Sequence, residues 1–578
     1  MFTLLTTFAT LLLIILISYW LTRRFKHTTA REYFMASGKL SFGFIAGSMM
    51  LTNVSVDQLI GLNGDAYLHN LSAVAWEATA IIAIIALALF FLPRYMQGGF
   101  TTLTEFIESR YDKTARKIVS VLLLMTYTLV LCPSSLYLGA LTLEKIFNIQ
   151  QALGVSYQTS MILMICLTGF IGTAYAVLGG LRAIAVSDTI NGVFLIVIIL
   201  LVPVLGFLAL GHGHLLAGMQ ELLRQNPQKL NMIGNNHDSV PFSTLFTGMI
   251  FANLFYWCTN QAIMQKSLAA RSLQEAQKGI LLTGACKLVL PLLMMLPGII
   301  AWHYFHGHPL TSSDLAYPSL IAALLPWWLK GFFVAIILGA VMSHFNAIIN
   351  ASATLLTYDF YLSYRPKATD HQQVRFGKQM SLLVALISIA CAPLLMDAPE
   401  GIYTLLRRFT GFFNMPVIAV VLFAFIVARP PAIAARIVLI SHALIYGIFI
   451  LGLNVDARWG ISFIHLMGIL FAGEMLLLFI LHRYLPGKTI PPITATGKEL
   501  VSWQYAVPVS VVLVAALISL YLTFSPLGIV SGHLTSGWYL SMGLLWTLAL
   551  VIAGRSHLRH KPLLSSRTRQ GSLPLDNN

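Results

Sequence analysis

Charge is what this sequence lacks most. Asp, Glu, Lys and Arg make up 10% of its 578 residues, while 57% are hydrophobic. Soluble globular domains carry about a quarter charged residues, so an aqueous fold is excluded. Alternating segments of about ten residues are also missing, which excludes a transmembrane β-barrel. Cysteine is scarce: Cys132, Cys166, Cys258, Cys286 and Cys391 all fall in apolar stretches. Their spacing fits neither a disulfide framework nor a metal motif, so they read as small core residues. The spans hold no nucleophile–base pair. The longest polar connections, near 212–241 and 304–330, are too short for a soluble catalytic domain. An enzyme is therefore not expected, and no cofactor is implied.

What is present is a series of apolar stretches of about twenty residues, the length that crosses a bilayer as a helix. They predict an all-α polytopic membrane protein of about fifteen transmembrane helices. Residues 1–39 read as a first helix with its N-terminus outside, followed by a cytoplasmic linker. Residues 40–211 and 242–427 read as two five-helix blocks joined by an extracytoplasmic loop at 212–241. Four further helices fill 428–553, and 554–578 is a basic cytoplasmic tail.

The net charge of +15 could suggest nucleic acid, but its distribution says otherwise. With the N-terminus outside, the large majority of the 36 Lys and Arg fall on the cytoplasmic side. That asymmetry is the positive-inside rule, a signature of topology. The reading is a multi-pass protein of the cell inner membrane with a cytoplasmic C-terminus. Its partners are lipid and a small molecule.

The two blocks can be laid over each other. Each opens on a span interrupted by polar residues, "MMLTNVSVDQLIG" from Met49 and "IFANLFYWCTNQAIMQ" from Ile250. An odd number of helices per block means the second enters from the opposite face, so the repeats are inverted. Interrupted helices at matching places in inverted halves point to a transport site near the bilayer midplane. Asp57, Glu77, Asp188, Lys287 and His344 all lie in apolar surroundings, and ionisable residues there mark sites or pathways. The competing structural readings are a buried ion pair for Glu77 and Lys287, and a helix-terminal charge for Asp188.

These stretches carry a resemblance. From about Tyr33 to Val427 the sequence resembles the sodium:solute symporters, and within them the sodium/glucose cotransporter branch. The supporting segments are "EYFMASGKL", "NVSVDQLIGLNG", "TEFIESRYDK", "YAVLGGLRA" followed by Asp188, "NLFYWCTNQAIMQKSLAA", "EAQKG" and "NASATLLTYDFY". The resemblance implies a ten-helix core in inverted repeats and alternating access. It also implies symport of a sugar or sugar derivative with sodium as coupling ion. Gln58, Glu77, Asn253 and Lys287 match residues that hydrogen-bond sugar hydroxyls, and together they offer both donors and acceptors. Tyr256 matches an aromatic that stacks under the sugar. Leu62, Trp76 and Tyr403 take the places of an outer hydrophobic gate.

Two pocket positions depart from the family pattern. Ala80 replaces a serine, and Arg407 replaces a glutamine. A guanidinium favours a carboxylate, sulfonate or phosphate, so an acidic sugar derivative enters the list of substrates; pairing with a protein carboxylate is the alternative. The family's sodium ligands correspond to the carbonyls of Leu51, Val54 and Ala340 and the hydroxyl of Ser343. The second hydroxyl position is His344, and Asp188 lies on the implied exit route of the ion. A hard cation prefers oxygen ligands. A proton-coupled or uncoupled carrier, with His344 replacing the sodium function, is therefore the alternative to sodium coupling. A membrane sugar sensor that binds without transport is the third reading.

Overall fold

The computed structural model describes residues 40–100, 102–306, 310–396, 402–485, 487 and 500–559, with scattered positions between 5 and 20. Side chains of 51, 175–189 and 457 fall outside the description, as does most of the expected first helix and the end of the basic tail.

The described residues are helical almost throughout, as bilayer burial of backbone polar groups demands. The first core helix is broken into α1 (Phe42–Asn53) and α2 (Val56–Leu68). It is followed by α3 (Leu71–Gln97), α4 (Lys113–Phe147) and α5 (Tyr157–Leu210). The second repeat opens on α6 (Gly248–Cys258) and α7 (Gln261–Leu268), again two pieces of one crossing. Then come α8 (Leu273–Tyr304), α9 (Trp327–Tyr364), α10 (Asp370–Leu395) and α11 (Ile402–Ile426). Four more helices close the chain: α12 (Ala432–Gly452), α13 (Phe463–Tyr484), α14 (Ala506–Thr523) and α15 (Ser536–Arg559). Among the described residues, 12 helical stretches are long and apolar enough to cross a membrane. The broken helices escape that count because each piece is short.

The α5 backbone carries two apolar stretches, Tyr157–Ala174 and Ile190–Leu210, where two separate spans over 156–178 and 184–211 are expected. Gly172 packs on Met342 and Phe345, and Asn191 packs on Gly339. The two stretches therefore lie against neighbouring turns of α9 rather than end to end, since 19 helical residues laid straight would span about 28 Å.

Both breaks arise from local hydrogen bonding. At the first, the Ser55 N–H turns to Asn53 O (2.8 Å) and the Gln58 N–H to Ser55 O (3.1 Å), which diverts the ladder partners of the Leu51 and Val54 carbonyls. At the second, Asn260 caps α7 through the Ala262 N–H (3.0 Å) and accepts from Tyr127 OH (2.6 Å). Asn and Ser compete with the helical backbone in this way and so favour caps.

The helices α1 and α7 are tied together. Leu40 and Ala270 form an isolated parallel bridge. The Lys266 ammonium donates to Ser48 O (2.9 Å) and to Thr52 Oγ1. Farther out, α2 and α8 approach closely at Gly298, whose N–H donates to Asn63 Oδ1 (2.5 Å). A Cβ at Gly298 would stand 2.2 Å from Asn63 O, so only glycine allows this crossing.

Candidate functional site

One buried carboxylate gathers most of the expected substrate residues. Glu77 on α3 accepts from Gln58 Nε2 (2.8 Å) on α2 and from Arg407 Nη2 (3.0 Å) on α11. Tyr403 OH lies 3.4 Å from the same oxygen, and Lys287 on α8 donates to the other. Four helices thus meet on one side chain, and one of them is half of the broken helix. A buried carboxylate alone in this setting would cost several kcal/mol, and its cationic partners offset that cost.

The Arg407 guanidinium is further fixed. It donates to Tyr403 OH (2.7 Å) and lies 4.7 Å from the Trp76 ring centroid and 4.8 Å from that of Tyr403. Its neighbour Arg408 points elsewhere, pairing with Asp456 (2.8 Å). Trp76 stacks on Phe463 of α13 (centroids 6.5 Å). Between Asp65, Trp76, Tyr403, Arg407 and Phe463 only about 10 Å³ remains, room for one water, so this side is closed. Leu62 is fully buried on α2.

Asn253 and Tyr256 stand at the edge of this cluster. Asn253 Nδ2 donates to Thr79 Oγ1 (2.9 Å), two residues after Glu77. The Tyr256 hydroxyl meets the Asn53 side chain at the helix break, and its ring lies edge-on to Trp257. Gln58 Oε1 is buried with no hydrogen-bond partner among the described residues. It is an acceptor suited to a ligand hydroxyl.

The second cluster sits one turn away, at the break itself. His344 of α9 points its Nδ1 at Thr52 O (2.7 Å), between the two carbonyls the break diverts. Its Nε2 lies 3.7 Å from Asp57 Oδ2. Ser55 and Ser135 both donate to that oxygen at 3.2 Å. Ala340 and Ser343 are buried on the same helix as His344. The side chain of Asp188 lies outside the described residues.

The profile of the sodium:solute symporter family matches residues 33–437. The chain belongs to the sodium:solute symporter family. It is 36% identical over 521 residues to the "Uncharacterized symporter YidK" of Escherichia coli, covering 89% of this chain and 90% of that one. It is 30% identical to the sodium/glucose cotransporter of Vibrio parahaemolyticus, covering 71% and 78%. It is 27% identical to human sodium/myo-inositol cotransporter 2, covering 71% and 64%. Among solved structures, a substrate-bound, outward-open sodium-coupled sialic acid symporter superposes with a TM-score of 0.71 at 17% identity, over 85% of this chain and 99% of that one. The nucleobase-cation-symport-1 transporter Mhp1, in a closed conformation, gives 0.51 at 13% identity, over 79% and 95%. These likenesses agree with the fold: a symporter core of two inverted repeats, each opening on a broken helix.

Several residues of this symporter's clusters escaped the sequence reading. Thr79 and Phe463 carry no ionisable group to draw the eye, and Phe463 lies beyond the two repeats. Asp57 stood out as an intramembrane acid, but nothing in the sequence brings it to His344.

Proposed function

We propose that this symporter carries a sugar or sugar derivative inward with a cation, by alternating access around the α1/α2 and α6/α7 breaks. The observation that carries the reading is the convergence of Gln58, Tyr403, Lys287 and Arg407 on Glu77. A polyol needs donors and acceptors on every side. Here a carboxylate, an ammonium, a guanidinium and an amide with an open acceptor offer both. The pairs already formed among them give way to hydroxyls without leaving any charge unsolvated. Tyr256 supplies a ring from below, and Leu62, Trp76 and Tyr403 supply the outer cover. The relatives named for glucose and myo-inositol support a neutral polyol. Arg407 adds affinity for an acidic group, and the comparison with the sialic acid symporter keeps such a sugar in view.

The cation enters through linkage: it favours the substrate-competent state, and its gradient then drives uptake. Sodium, the ion in the family's name, is supported by the oxygens kept at Leu51, Val54, Ala340 and Ser343; a proton is favoured by the His344 ring at the break. The charge asymmetry supports the cytoplasmic membrane, with the N-terminus outside and the C-terminus inside.

The reading is tested by thermal unfolding of the purified protein with glucose, galactose, myo-inositol, glucuronate and N-acetylneuraminate. A ligand at about a hundred times its Kd stabilises by about 2.7 kcal/mol. At least one sugar is expected to raise the midpoint in wild type and not in Glu77→Gln. If no sugar moves the midpoint, or each moves that of Glu77→Gln equally, the cluster is not a sugar site.

A further inference from the structure

We propose that this symporter holds an anionic phospholipid in a groove between the first stretch of α5 (Tyr157–Ala174) and the start of α10 (Asp370–Leu395), with the lipid phosphate on Arg375 and Lys378. The inference goes beyond the substrate and ion readings above and rests on neither.

The helix α10 changes character along its length. It opens on the polar run "DHQQVRFGKQ", Asp370 to Gln379, and continues in the apolar run "MSLLVALISIA", Met380 to Ala390. In a bilayer such a boundary marks the level of the headgroups. Farther along, α10 touches α5 where Ile389 meets Gly169: a Cβ at Gly169 would stand 2.5 Å from Ile389 Cγ1. From Lys378 to Ile389 a helix rises about 16 Å, the hydrocarbon depth of one leaflet. On the Arg375 side of that crossing the two helices leave a groove of about 600 Å³.

The walls of the groove are apolar and its mouth is basic. Phe170 and Ala174 line it from α5, and Arg375, Lys378, Gln379 and Leu382 line it from one face of α10. Thr173, between them on α5, turns its hydroxyl inward to Gly169 O (2.6 Å). The exposed side chains of Leu167 and Leu386 continue the apolar track one turn farther on each helix. Arg375 is exposed and, like Gln379, makes no hydrogen bond or ion pair among the described residues. Lys378 is also engaged within the protein and adds its charge at the mouth.

Each part of the groove selects a part of the ligand. The guanidinium fork of Arg375 and the Gln379 amide offer donors to phosphate oxygens. Phe170 and Leu382 offer a wall to an acyl chain, which a free phosphate or a sugar phosphate cannot use. A zwitterionic lipid brings a cation beside Arg375 and Lys378; an anionic headgroup does not. The charge around the mouth favours the anion, because Arg365, Lys367, Arg375 and Lys378 stand against the single acid Asp370 in this part of the chain. An arginine that only reaches interfacial water needs no cleft beside it. A lipid seated here ties α5 to α10.

The test titrates the purified full chain in detergent, without sugar, with three probes. These are dioleoylphosphatidylglycerol, dioleoylphosphatidylcholine with the same tails, and glycerol phosphate, an anion without a tail. Thermal unfolding reads binding, since a ligand of the native state raises the midpoint. Phosphatidylglycerol is expected to stabilise saturably, and the other two are not. Arg375→Gln combined with Lys378→Gln is expected to weaken that binding about thirtyfold. Ala174→Trp, which fills the groove and keeps both charges, is expected to weaken it as well. Arg483→Gln combined with Arg555→Gln removes the same charge from exposed positions elsewhere and is expected to bind as wild type does. Native mass spectrometry reads any variant of lowered stability, and one fewer phosphatidylglycerol is expected on the groove variants at equal lipid. Equal stabilisation by both lipids, or by glycerol phosphate, overturns the proposal. So does wild-type affinity in either groove variant, or an equal loss in the Arg483 and Arg555 control.

Discussion

Two buried acids, Glu77 and Asp57, lie against the same broken helix and are treated in opposite ways. Glu77 is surrounded by charge: Lys287 on one oxygen, Arg407 on the other, with Gln58 and Tyr403 completing its shell. Asp57 has two serine hydroxyls on one oxygen, no partner among the described residues on the other, and an imidazole at 3.7 Å. The first arrangement surrounds a carboxylate with donors that can exchange, which suits a ligand rich in hydroxyls. The second leaves a buried carboxylate with an open acceptor oxygen beside the helix break. The two acids thus differ in how fully each is satisfied, although both clusters use side chains from α2.

The comparison breaks most readily at Glu77. Glu77→Ala strands Lys287 and Arg407 in the bilayer interior, and loss of one partner of a buried pair costs about 3–5 kcal/mol. Uptake is expected to vanish, while Glu77→Gln should remain folded and fail only in substrate binding. Near-normal KM and maximal rate in Glu77→Gln would move the substrate site elsewhere.

A smaller effect sharpens what the first cluster recognises. Arg407→Gln removes a guanidinium that now spans Glu77, Tyr403 and Trp76. A charge-assisted contact to an acidic sugar lost this way is about 2 kcal/mol, or about thirtyfold in affinity. Affinities of glucuronate and glucose, measured in both proteins, should converge in the variant. An unchanged ratio would make Arg407 a brace for Glu77 and nothing more.

The smallest effect comes from a third acid that serves neither cluster. Asp314, in the connection between α8 and α9, accepts the Ile402 N–H (3.3 Å) at the start of α11, and burial pushes its pKa up to about 6. Because the folded pKa lies above the unfolded value of 3.8, its stabilising contribution is complete below that value and is lost as pH rises through about 6. Asp314→Asn should remove that part of the stability curve between pH 4 and 6 and leave uptake near the wild-type level. A curve superimposable on wild type would show that the buried acid does not titrate there.

Much of the fold was legible because the bilayer enforces it: apolar runs of spanning length can only be helices, and polar residues inside them must be satisfied. Gln58, Glu77 and Lys287 were legible for the same reason, as polar side chains set in apolar runs, and Tyr403 and Arg407 through the resemblance to the symporter family; the structure brings the five to one point. Asn253 and Tyr256 arrive beside that point, bonded to Thr79 and Asn53. What stayed hidden depends on contacts far apart in the chain. The His344 ring reaches Thr52 across 292 positions, and its tautomer is set by a backbone carbonyl that no sequence pattern announces. Phe463 closes over Trp76 from a helix outside the repeats, where no periodicity could place it.

The central claim is that the Glu77 cluster binds a sugar whose uptake is driven by a cation gradient. Accumulation of labelled glucose, myo-inositol and N-acetylneuraminate in proteoliposomes, under imposed inward proton or sodium gradients, tests it most directly. At least one sugar should rise above its external concentration in wild type, collapse to equilibrium when the gradient is dissipated, and fail to accumulate in Glu77→Gln. No uphill accumulation of any of the three, or equal accumulation in Glu77→Gln, would contradict it.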